Sequence, residues 1–171
     1  MITSHRFLFF ILLFSGWGIP FNCTAQESKE MLKGKYEGST PCGDMPRAFL
    51  KVPVNDSCEF IKWQISMYKP RGTSNSSGFI LTAIYGLTQP NTQGFSRSAQ
   101  FQSEGQWTIM KGMPGNSKAI VYRLVTTNKD TLLLLELNRE MLHPLDPSGR
   151  LMIGNAGWSY TLSRTDNGVR K

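Results

Sequence analysis

Hydrophobic and polar residues alternate with a period of two along much of the 171-residue chain. Ile120, Tyr122 and Leu124 fall on one face of an extended segment and Arg123 on the other, as in a half-buried antiparallel strand. After residue 26, no segment shows the apolar repeat of a long amphipathic helix. The pattern predicts an all-β protein. The predicted strands are 33–38, 47–54, 59–68, 79–87, 95–102, 106–111, 118–127, 131–138, 150–153 and 158–163.

Residues that favour tight turns stand at 55–57, 113–116, 128–130 and 146–149, each between two apolar runs. In the last cluster, Pro147 presets the first central residue of a type I turn and Gly149 suits its end. Strands joined by neighbouring turns form an antiparallel meander, and closing the sheet removes its exposed edges. We therefore expect a barrel or sandwich, with looser loops at 69–78 and 88–94.

Residues 1–25 have the pattern of a signal peptide, with Arg6 before the apolar run 7–14. The apolar stretch is too short to span a hydrocarbon core of ~30 Å. Small residues at Cys23 and Ala25 form a cleavage site before residue 26. We expect export to the periplasm or outer envelope, which is an oxidising environment, and one β-barrel domain over 26–171 with its core at about 33–164. The alternative is a lipoprotein acylated on Cys23, although the preceding residues are poor for lipid attachment.

The chain carries 19 Lys and Arg against 12 Asp and Glu, for a formal net charge of +7. The basic residues are scattered and form no stripe, so nucleic acid is not an expected partner. Weak attraction to an anionic membrane surface is compatible with this charge. We expect a monomer whose partner is an envelope protein.

Five short segments occur in an order that is similar to a known family. They are Gly34-Lys-Tyr-Glu-Gly38, Pro41-Cys-Gly-Asp44, Glu104-Gly-Gln-Trp107, Leu142 to Asp146 followed by Gly149, and Tyr160-Thr-Leu-Ser-Arg164. This order resembles the NlpE-type copper-resistance and envelope-stress lipoprotein family over roughly 33–164. The resemblance implies a small lipocalin-like β-barrel of about 8–10 strands. It also implies a place in the bacterial cell envelope, a role in copper tolerance and the stress response, and no catalytic activity.

A soft donor set is available from Cys42, Met45 and His143. A thiolate, a thioether and an imidazole together select Cu(I). They would converge only if the loop after the first strand met the segment before Asp146. In the alternative interpretation, Met45 fills the core and His143 caps a turn. The family's Cys-x-x-Cys pair is reduced here to its first cysteine, because Met45 stands in the second position. We expect no other cofactor.

Cys42 and Cys58 are the two cysteines left after removal of the leader, and export favours a disulfide between them. The predicted strand 47–54 argues against it, because eight extended residues would separate the two by ~25 Å against a Cα limit of ~7 Å. Buried free thiols are the alternative outcome.

His143 is the single histidine after residue 25, which excludes sites that need two histidines, and we assign no catalytic residue. Trp107, Tyr122 and Trp158 are candidates to line a ligand cavity, although small barrels are more often filled by such rings. We expect an exported, non-enzymatic envelope protein that acts through protein contacts at the rim 41–46 or through weak copper binding. The alternative is a lipocalin-like carrier of a small apolar ligand.

Overall fold

The computed structural model describes residues 31–69 and 77–166, where antiparallel strands close into a barrel in chain order. The strands are β1 (Met31–Pro41), β2 (Phe60–Lys69), β3 (Gly78–Thr88), β4 (Phe95–Met113), β5 (Asn116–Thr126), β6 (Thr131–Asn138), β7 (Met141–Leu145) and β8 (Leu162–Arg164). A short helix, α1 (Asp44–Phe49), follows β1. The predicted all-β barrel of the lipocalin-like kind is therefore confirmed, with eight strands in this part of the chain. No helix of the described residues is long and apolar enough to cross a membrane.

The barrel is organised by alternation along each strand, as the hydrophobic pattern predicts. In β2, Ile61, Trp63, Ile65 and Met67 are buried in the main core, and the residues between them are only partly covered. The same cluster takes residues from β1, β3 to β8 and the segment after β1. β1 pairs with both β2 and β8, where Tyr36 stands opposite Arg164, and this pairing closes the ring.

β4 is one long strand where the sequence predicted two, 95–102 and 106–111. Its first part pairs with β3 and its second with β5, and Gly105 takes part in both ladders, opposite Phe79 and Thr126. A Cβ at Gly105 would overlap the carbonyl oxygen of Val125. The close approach of two strands at this position therefore requires glycine.

Three turn predictions are confirmed and several strand predictions are wrong. The turns at 113–116, 128–130 and 146–149 reverse the chain, with positive φ at Gly115, Lys129 and Gly149. The strand predicted at 150–153 is reduced to a bridge between Leu145 and Leu151, and that at 158–163 to β8. β7 was not predicted. The leader 1–25 and most of the loop 69–78 lie outside the described residues.

The strand predicted at 47–54 is the largest error, because these residues form the end of α1 and an irregular loop. Asp44 suits the first helical turn, and a proline is tolerated there, as at Pro46. The apolar residues that suggested a strand face the barrel interior instead: Phe49, Leu50 and Val52 are buried in the main core. This segment covers one end of the barrel.

Candidate functional site

The segment over the barrel end is closed by a disulfide between Cys42 and Cys58, whose Cα atoms are 5.8 Å apart. We call residues 42–58 the disulfide loop. The separation of ~25 Å expected from a strand at 47–54 is wrong, because a helix and a turn bring the chain back on itself. The backbone N–H of Cys42 also donates a hydrogen bond to the carbonyl of Glu59 at 3.1 Å. The base of the loop is thus held by a covalent bond and a hydrogen bond.

The inner side of the disulfide loop is fixed by aromatic packing. The Phe49 ring lies 6.3 Å from Trp63 and 6.1 Å from Phe101, between ring centroids. Inside the barrel, the Trp63 indole N–H donates to the hydroxyl of Thr40 at 2.8 Å, and both residues are buried. Because these rings fill the space beneath α1, the helix has little freedom to shift against the barrel.

The outer side of the disulfide loop is fixed by one guanidinium. Arg47 donates hydrogen bonds to the carbonyl oxygens of Pro53 at 2.9 Å and Asp56 at 3.0 Å. The backbone N–H of Asp56 donates back to the Pro53 carbonyl at 3.0 Å, which closes a turn. Val54 lies at its tip and is 93% exposed. An apolar side chain is therefore exposed to solvent on a turn whose backbone is held by the Arg47 guanidinium.

The three predicted copper ligands do not form a ready metal site. The sulfur of Cys42 is in the disulfide and is not a thiolate, and Met45 packs against the core. His143 Nε2 forms a hydrogen bond with the carbonyl of Met152 at 3.0 Å, and burial lowers its pKa. Among the described residues, no group of three or more His, Cys, Asp or Glu side chains is arranged to hold a metal ion.

Tyr160 nevertheless connects the two segments that the copper hypothesis required to meet. Its ring centroid lies 6.5 Å from that of His143, in an edge-on arrangement. Its hydroxyl lies close to Gly43, next to Cys42: a Cβ at Gly43 would be 2.7 Å from the hydroxyl oxygen. The rim 41–46 and β7 therefore lie on either side of one buried tyrosine.

The three predicted ligand-binding aromatic residues are divided between two places. Trp107 and Tyr122 are buried side by side in the barrel, with ring centroids 5.6 Å apart and nearly perpendicular planes. Trp158 instead stacks on Phe60 at 5.1 Å. Phe60 precedes the core residue Ile61 in β2, so alternation places its side chain on the outer face of the sheet.

The pair of rings in the barrel is covered by the chain's own Lys33. The ammonium lies 3.8 Å from the ring centroid of Tyr122 and 5.4 Å from that of Trp107, within range of cation–π attraction. Desolvation lowers the pKa of Lys33 to about 8, and the nearby Glu136 partly opposes this change. The Tyr122 hydroxyl donates to the Glu136 carboxylate, and burial with this bond raises the pKa of Tyr122.

Sequence reasoning identified the cysteines and aromatic residues but missed Arg47 and Lys33. Each is the first residue of a segment predicted as a strand, and a charge in a strand normally faces solvent. No local sequence motif indicates that Arg47 holds a turn or that Lys33 lies over the rings of Trp107 and Tyr122. Both roles depend on tertiary contacts.

Comparison with known proteins does not assign the chain to a family. Searches against protein-family models, curated proteins and solved structures found no significant match.

Proposed function

We propose that this chain is an exported, non-enzymatic envelope protein of the NlpE-like kind, which acts by contacting another protein through the disulfide loop. The observation that carries the proposal is the exposure of Val54 on a turn held by Arg47 and closed off by a disulfide. A preorganised loop binds with a smaller entropic cost than a flexible one. A disulfide also suits a protein that works in an oxidising compartment.

The packed barrel interior gives less support to the alternative function, in which the protein carries a small apolar ligand. Trp107 and Tyr122 contact each other and Lys33, and they belong to a continuous cluster of buried side chains. In a carrier, these rings would border an open cavity. The geometry favours an external contact over an internal ligand.

Weak copper binding is a secondary version of the same proposal, and it requires reduction of the disulfide to release the Cys42 thiolate. Titration of the reduced protein with Cu(I) tests it. Saturation at one equivalent that is lost in Cys42→Ser would support copper binding, and unchanged uptake by that variant would exclude Cys42 as a ligand.

The proposed contact is tested by copper tolerance and envelope-stress induction in the source bacterium after deletion of the gene. We expect the wild-type gene and Ile153→Asp to restore both responses, and Val54→Asp to fail. Ile153 is a matched control because it is 91% exposed, close to the 93% of Val54, and lies outside the disulfide loop. Full restoration by Val54→Asp, at equal protein level, would refute the contact.

A further inference from the structure

The outer face of the barrel carries an aromatic stack beside β2 that the proposed function does not use. Phe60 stacks on Phe95 with ring centroids 4.2 Å apart, and on Trp158 at 5.1 Å. All three rings lie nearly parallel, with interplanar angles of 5° and 0°. Although its side chain is on the outer face, Phe60 is only 3% exposed because the other rings cover it.

A surface groove of about 380 Å³ opens next to this stack. Its lining combines the Phe60 and Trp158 rings with hydroxyl, amide and ammonium groups. The polar residues that line it are Ser39, Lys62, Thr88, Thr92 and Gln93. Such a volume is in the range of small-molecule sites, in which apolar rings and a few polar groups fix a ligand's orientation.

The aromatic side of the groove is built in a fixed position. The Asn155 side-chain oxygen accepts hydrogen bonds from the backbone N–H groups of Gly157 and Trp158, each at 2.9 Å. The backbone N–H of Asn155 donates to the carbonyl of Trp158, also at 2.9 Å, which closes the turn. These bonds fix the backbone that carries Trp158, and the stack on Phe60 orients its ring before any ligand arrives.

Lys62 gives the groove its charge. It forms no ion pair among residues 31–69 and 77–166, and its ammonium lies 5.6 Å from the Phe95 ring centroid. Two carboxylates near this part of β2 already have partners: Glu59 accepts hydrogen bonds from the Thr88 hydroxyl and N–H, and Glu37 forms an ion pair with Lys35 and accepts a hydrogen bond from Gln64. A carboxylate on a ligand would find in Lys62 a cation without a competing ion pair.

We infer that this groove binds a pyranose saccharide that bears a carboxylate. The C–H faces of a sugar ring are weakly positive and fit the negative face of an indole. Its hydroxyls can pair with the Ser39 and Gln93 side chains, and its carboxylate with Lys62. The inference rests on the groove alone and is independent of the contact proposed at Val54.

Two disaccharides that differ by one acidic group test the inference on the exported, disulfide-bonded protein. N-acetylglucosaminyl-N-acetylmuramic acid carries a carboxylate, and N,N′-diacetylchitobiose lacks it. In NMR titrations, we expect both to shift the Trp158 indole resonance, and the acidic sugar to bind about three- to fivefold more tightly. Lys62→Gln should abolish that preference, and Lys111→Gln, at an exposed position of β4, should keep it. Trp158→Ala should abolish binding of both sugars, which is followed in that variant by the backbone amide resonances of Thr92 and Gln93.

Three results would overturn the inference. Equal affinity of the wild-type protein for the two sugars would remove the role of Lys62. An absence of shifts at Trp158, or shifts centred on Trp107, would exclude the groove. Trp158 shifts that depend on protein concentration alone would identify a second copy of the chain as the occupant.

Discussion

The guanidinium of Arg47 holds the carbonyl oxygen of Pro53 at 2.9 Å and so fixes the turn on which Val54 is presented. The hydrogen bonds of this guanidinium connect α1, which covers the barrel end, to the exposed tip of the disulfide loop. Removing the guanidinium should separate them without disturbing the barrel.

Arg47→Met should therefore loosen the turn with a small loss of stability, about 1 kcal/mol, because its hydrogen bonds lie near the surface. Hydrogen exchange of the Asp56 amide, which donates to the Pro53 carbonyl, is expected to accelerate. Arg123→Met is the control, because Arg123 is exposed on β5. Equal exchange at Asp56 in both variants would show that Arg47 does not hold the turn.

The double variant Cys42→Ser, Cys58→Ser should lose about 3 kcal/mol of unfolding free energy, because the bond closes a loop with a sequence separation of 16 residues. Urea unfolding of the oxidised wild type, the reduced wild type and the variant measures this. The reduced wild type should match the variant. A variant as stable as the oxidised protein would mean that packing of Phe49 and its neighbours alone holds the segment.

Lys33 should titrate near its lowered pKa of about 8, well below the ordinary value of 10.5. Between these two values the unfolded chain binds the proton more tightly than the folded chain, so the contribution of Lys33 to stability rises with pH. The stability of the wild type relative to Lys33→Met should therefore increase from pH 8 to pH 10 and stay constant below pH 7. An NMR titration of the Lys33 side chain with a midpoint near 10.5 would contradict the buried position.

Gly105→Ala should cost about 3 kcal/mol, because its Cβ would collide with the Val125 carbonyl at the point where two strand ladders meet. Gly115→Ala is the matched control: its Cβ meets no atom within 4 Å, and only its φ of +80° is unfavourable for alanine. That change should cost about 1 kcal/mol. Thermal or urea unfolding compares them, and equal losses would show that β4 can move at Gly105.

Much of the barrel could be predicted from the sequence, because strand alternation and turn chemistry are local signals. The reversal at Pro147 and Gly149 and the inward positions of Tyr122 and Leu124 follow from such signals. Ile120, which was expected on the same face of β5, is instead 42% exposed. The segment 47–54 does not, since Phe49, Leu50 and Val52 read equally well as a strand or as an apolar cover for a barrel end. That ambiguity also led to the wrong expectation about the distance between the cysteines.

The candidate site was only partly accessible, because its residues are joined by contacts between distant segments. Trp107 and Tyr122 were expected together and are in contact. Trp158 was grouped with them, but it lies in the irregular segment before β8, and its ring stacks on Phe60 at the outer face of the sheet. Aromatic residues carry no sequence signal for the face of the sheet once strand alternation ends.

The central claim, a protein contact at the disulfide loop, is tested most directly by photo-cross-linking in living cells with a photoreactive phenylalanine at position 54. The account predicts a discrete cross-linked protein in the envelope from position 54, none from position 153, and loss of the product in the Cys42→Ser, Cys58→Ser background. The same cross-linked product from both positions, or from position 54 regardless of the disulfide, would contradict it.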